Sequence, residues 1–102
     1  MKTKESIKID FNNAMKQAAS VDTCAEELRK VGRQLQEVIN ELGSGWKGEA
    51  ASLYLQKCET LSSKINKSAN DLSKISSTIS KTAKVYYETE KVALEFVKQK
   101  SI

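Results

Sequence analysis

The sequence predicts an all-α fold, an antiparallel two-helix hairpin that completes a helical bundle with a partner. Three observations predict it. Proline is absent and glycine occurs only four times in 102 residues, while Ala, Leu, Ile, Lys, Glu, Ser and Gln dominate, a composition of long helices rather than of strands and turns. Apolar residues recur at steps of three and four over most of the chain. Three of the four glycines and the lone tryptophan fall together in "GSGWKGEA", Gly43 to Ala50, between the two periodic segments. A chain of this length forms one domain with one modest core.

The first periodic segment runs through Ile7, Phe11, Ala14, Ala18, Val21, Ala25, Leu28, Val31, Leu35, Val38 and Leu42. It predicts an amphipathic helix over about 6–42. Gly43 follows the last periodic residue, where a C-cap glycine with positive φ is expected, and Gly45 keeps the turn tight, so the break is placed at 43–48. The second segment carries a stricter heptad: Cys58, Leu61, Ile65, Ser68, Leu72, Ile75, Ile79, Thr82, Tyr86, Thr89, Ala93 and Phe96. It predicts a helix over about 49–98, with Glu49 in a first turn whose dipole favours a negative charge.

A break this short makes the helices antiparallel neighbours. Folding back around Gly45 pairs residue i with about residue 90 minus i. Cys24 then faces about residue 66, eight residues from Cys58. At the helical rise that is ~12 Å, too far for a disulfide, so both thiols are expected to be reduced. The same register lets the second helix overhang the first by ~14 residues or ~20 Å, leaving Tyr86, Tyr87, Leu94, Phe96 and Val97 without an intramolecular partner.

Catalytic chemistry has little to work with. Histidine is absent, the cysteines are too far apart to form a structural zinc site, no phosphate-binding glycine loop occurs, and the serines have no evident base. No enzyme activity, metal or cofactor is expected. From Trp46 onward there are 10 Lys against 6 Asp or Glu, whereas residues 1–42 carry seven charges of each sign. The lysines at 57 and 64, at 67, 74 and 81, and at 84, 91 and 98 form three sets, each stepping by seven off the apolar stripe. With no arginine beyond Arg33 and no aromatic residues interleaved among them, they form a solvated face rather than a nucleic-acid footprint. No stretch approaches the ~20 apolar residues that span a bilayer, and the charged N-terminus contains no apolar signal-peptide core, so membrane insertion is not expected. The chain is expected to be made in the cytoplasm and, if exported, to use a route that reads no cleaved signal peptide.

Trp46 and Gly48 form a W-x-G tripeptide at the tip of the hairpin, where the indole is expected to plug the open end of the helix pair. Near the C-terminus, Tyr86, Glu90, Ala93 and Val97 form a second pattern: hydrophobic residue, three residues, acid, two residues, hydrophobic residue, three residues, hydrophobic residue. A W-x-G between two helices of a chain of about 100 residues, followed by Y-x-x-x-[DE], resembles the WXG family, the ESAT-like helical hairpins of type VII secretion. The resemblance covers roughly residues 6–98; Glu rather than Asp at position 90 is its less usual feature.

The resemblance implies a non-enzymatic secreted protein whose Tyr86, Glu90, Ala93 and Val97 form an export signal read by a secretion ATPase. The spacing of Tyr86 and Glu90 puts both on one helix face, where a receptor takes the ring in an apolar pocket and pairs the carboxylate with a cation. Two helices cannot enclose a core, and Leu61, Ile65, Leu72, Ile75, Ile79 and Phe96 are the expected partner interface. The family offers two kinds of partner: the helical N-terminal domain of an LXG-type toxin, or a sister hairpin, including a second copy. The run "WKGEAASLYLQK" and the I-x-x-x-A-x-x-x-Y-x-x-E arrangement at Ile79, Ala83, Tyr87 and Glu90 are more similar to the toxin-associated subgroup. An unrelated cytosolic coiled-coil adaptor is the remaining alternative.

Overall fold

A computed structural model describes residues 3–100. It is an all-α hairpin of two helices, α1 Lys4–Gly45 and α2 Glu49–Lys100. The first turn of α1 is closed by a reciprocal pair. The Ser6 amide donates to Thr3 Oγ1 and the Thr3 amide to Ser6 Oγ, both at 3.1 Å. This is a capping box with serine in place of the usual Glu, and it starts the helix two residues before Ser6.

The turn differs from the expected one. Gly43 is not a C-cap. α1 continues through it to Gly45, the Trp46 amide donating to the Leu42 carbonyl at 2.7 Å and Lys47 Nζ to the Gly43 carbonyl at 3.1 Å. The positive φ falls instead on Gly48, at 115°. Its carbonyl accepts the Ser52 amide at 3.0 Å, the first helical bond of α2, so the glycine of W-x-G is there because its backbone enters a region closed to side chains.

Moving the fold-back point from Gly45 to about Gly48 moves the pairings by about twice as much, four to eight residues. Phe11 meets Tyr87 rather than the neighbourhood of Ile79, and Ala18 meets Ser76 rather than Leu72. The overhang is correspondingly shorter. Tyr87 stacks on Phe11 with ring centroids 4.7 Å apart, and Leu94 is half-buried beside Lys4 and Ile7. Tyr86, Phe96 and Val97 remain exposed. Both cysteines are free, as expected.

The chain divides into two compact units, each containing a stretch of both helices. In the unit Asp22–Ser73, which contains the turn, the seam between the helices is built from small residues and one isoleucine. Ala25, Gly32 and Ile39 on α1, one heptad apart, are buried, as are Ala51, Ser62 and Ala69 on α2. A Cβ on Gly32 would lie 2.6 Å from Asn66 Oδ1 and 3.3 Å from Ile65 Cγ2, so glycine permits the close approach there. In the other unit, residues up to Val21 with those from Lys74 on, Ile7 and Ala18 are buried and Phe11 and Tyr87 add rings to the seam. Ser76 Oγ donates to the Ala18 carbonyl at 2.8 Å, satisfying a buried hydroxyl.

The apolar stripes read from the sequence are therefore not wholly the seam. On α2, Cys58, Ile65, Leu72 and Ile79 border it, but beyond Ala51 its buried positions are Ser62, Ala69 and Ser76, one residue past the exposed Leu61, Ser68 and Ile75. On α1, Val31, Val38 and Leu42 are likewise exposed beside the buried Gly32 and Ile39. Small residues take the seam because they allow more of both helices to approach; the larger ones are displaced to its flank.

Candidate partner-binding faces

In the turn-containing unit the seam separates two unlike flanks. One is polar and self-satisfied. Arg29 Nη2 donates to Ser73 Oγ at 2.7 Å and to Asn70 Oδ1 at 3.3 Å, Arg29 Nη1 pairs with Glu26 at 2.6 Å, and Gln36 Nε2 donates to Glu59 Oε1 at 3.4 Å and Asn40 Oδ1 at 3.1 Å. The guanidinium thus ties the two helices together on that side.

The other flank is apolar. Leu28, Val31, Leu35, Val38 and Leu42 step by three and four along one side of α1, one residue away from the row that holds Arg29 and Gln36. Leu28, Val31 and Leu72 line a groove of about 400 Å³ together with the exposed Cys24. On α2, Leu61 is 51% exposed between Lys57 and Lys64 in a second depression. Trp46 is not the expected plug. It is 42% exposed and rests against the exposed Tyr54, with centroids 5.5 Å apart at a tilt of 58°.

The other unit has a groove of about 480 Å³. Phe11 and Ala14 from α1 and Ile79 and Ala83 from α2 supply apolar walls; Asp10 and Glu90 are its two carboxylates. Tyr86, 63% exposed, also lines it, and Lys91 Nζ lies 5.9 Å from the centroid of Tyr87 beside it.

The residues expected to form sites are distributed as follows. Tyr86 and Glu90 share the groove, Glu90 half-buried, while Ala93 and Val97 are exposed further along α2. Of the expected interface, Leu61, Ile75 and Phe96 are exposed and Ile65, Leu72 and Ile79 are half-buried. The sequence reading placed Val31, Val38 and Leu42 on the apolar stripe of the first helix and did not single out Asp10 or Gly32. The signal was present in a second row, Ala18, Ala25, Gly32 and Ile39, stepping by seven. Among the described residues no helix is long and apolar enough to cross a membrane, and no three metal-ligating side chains come together.

These features define a small all-α hairpin with a W-x-G turn and uncovered apolar faces, a protein built for association with other helices. The sequence profile described as "Proteins of 100 residues with WXG" matches residues 6–91, and the chain belongs to this WXG100 family. No curated protein and no solved structure gives a significant match. Membership makes it a small helical protein associated with type VII secretion. Proteins of the family are non-enzymatic, leave the cell without a signal peptide, and pair with a helical partner or with themselves.

Proposed function

We propose that the chain is the small export partner of the helical N-terminal domain of an LXG-type toxin: it covers that domain with its apolar flank and supplies the export signal at Tyr86, Glu90, Ala93 and Val97 that the secretion ATPase reads. The observation that carries the reading is the one-sided flank. Val31, Val38, Leu42, Tyr54 and Leu61 are exposed in the turn-containing unit, far more large apolar surface than a stretch of this size leaves uncovered by accident. Helices of a partner bury such a surface by completing a bundle. The similarity of "WKGEAASLYLQK" and of Ile79, Ala83, Tyr87 and Glu90 to the toxin-associated subgroup favours a toxin domain over a sister hairpin.

The test is co-expression with the product of a neighbouring gene of LXG length, followed by sizing of the purified complex. The expected result is a stable complex of the two products in which Cys24, exposed in the free chain, is protected from alkylation. A chain that sizes as a dimer by itself and ignores the toxin domain is instead a self-associating secreted hairpin. A monomer that binds neither would sink both readings.

A further inference from the structure

The groove beside Tyr86 is built by both helices, although the export pattern is written on α2 alone. Two of its apolar walls, Phe11 and Ala14, and one of its two carboxylates, Asp10, come from α1. The Phe11 ring is held in place by the Tyr87 ring at 4.7 Å, so α1 forms a fixed wall there. Its volume of about 480 Å³ lies in the range of clefts that bind ligands.

We propose that this groove is a composite docking site for a basic side chain, arginine or lysine, presented by the receptor that reads the export segment. The proposal rests on the reading of Tyr86 and Glu90 as that segment and extends it to α1. Its chemistry selects the occupant. Walls of Phe11, Ala14, Ile79 and Ala83 receive a long aliphatic stem, and the carboxylates of Asp10 and Glu90, one from each helix, receive the cation at its end. The stem without the charge would leave two acids beside an occupied apolar cleft; the charge without the stem would leave the cleft unfilled. Asp10 and Glu90 each have an interaction within the chain, so the incoming cation shares or exchanges contacts already oriented at the groove. The hydroxyls of Thr78 and Thr82, also lining it, offer further acceptors to a guanidinium.

The experiment is made on the full chain in producing cells with its partner co-expressed, comparing Asp10→Lys, Asp10→Glu and Ala14→Leu with Glu90→Gln and Tyr86→Ala. Secretion into the medium, partner copurification and melting temperature are read for each. Asp10→Lys and Ala14→Leu are expected to reduce secretion about tenfold or more, the scale of one lost charge-assisted contact, while copurification and melting stay at wild-type levels and Asp10→Glu, which keeps the charge, loses less secretion than Asp10→Lys. Should Asp10→Lys fail to fold, Asp10→Asn replaces it with the same expected direction. If Glu90→Gln blocks export but the α1 variants are exported as wild type, the composite groove is wrong and the export segment stands. Normal export of Glu90→Gln and Tyr86→Ala removes the segment and the groove together. Loss of the partner from the α1 variants assigns the groove to the bundle interface and overturns the proposal.

Discussion

The two units use the same pair of helices to make different surfaces. Around the turn, the buried seam holds Ala25, Gly32, Ala51, Ser62 and Ala69, with Ile39 its one large residue, and Leu28, Val31, Leu35, Val38 and Leu42 lie along one flank of α1. Towards the termini, the seam takes in Phe11 and Tyr87, and a groove with acidic groups opens beside them. A pair of rings needs more room between helices than a pair of alanines. Small seam residues thus go with an exposed apolar flank around the turn, and the ring pair with a groove that holds two carboxylates towards the termini.

The largest expected effect breaks that contrast at the broad face. Val38→Asp combined with Leu61→Asp puts unpaired charges where partner helices close, and should weaken partner binding by about 4 kcal/mol or more while circular dichroism stays helical. Tyr86→Ala, in the other unit, should leave binding of the same partner intact. Equal losses from both would erase the difference in role between the two surfaces.

Next in size is the seam itself. Gly32→Leu drives a side chain into Asn66 and Ile65 and should cost about 3 kcal/mol of stability, seen as a lower melting temperature. Gly32→Ala sharpens the point. The closest atom it meets is the end of the Asn66 side chain, which can rotate away, and alanine gains up to ~1 kcal/mol in helix propensity, so the two terms nearly cancel. An undisturbed Gly32→Leu would show that close approach is not what holds this unit together.

The smaller effects belong to the turn. Gly48→Ala places a side chain at a φ of 115° and should cost about 1–2 kcal/mol. Trp46→Ala in the free chain should cost only about 1 kcal/mol, because the indole is 42% exposed and gives up chiefly its contact with Tyr54. A much larger loss measured in the complex than in the free chain would place Trp46 under the partner.

Much of this was legible in the residues. Steps of three and four and the absence of proline declare two long helices, and "GSGWKGEA" declares the break, because helix period and turn chemistry are local properties of a few neighbouring residues. The heptad that contains Leu61 and Ile75 was legible for the same reason.

What the tertiary structure alone decided was register and seam. Shifting the turn from Gly43 and Gly45 to Gly48 is a small local change that moves Phe11 from the neighbourhood of Ile79 to Tyr87, because an error at the fold-back point is doubled in every pair beyond it. Choosing between two rows one residue apart, Leu61 and Ile75 or Ser62 and Ser76, depends on which lets two backbones approach, and that is settled by the residues opposite, Ala18 and Gly32 among them. Nor is the groove written in either helix. Asp10 and Glu90 are separated by most of the chain, and they come to line one cleft only because the corrected register lays the start of α1 against the last third of α2.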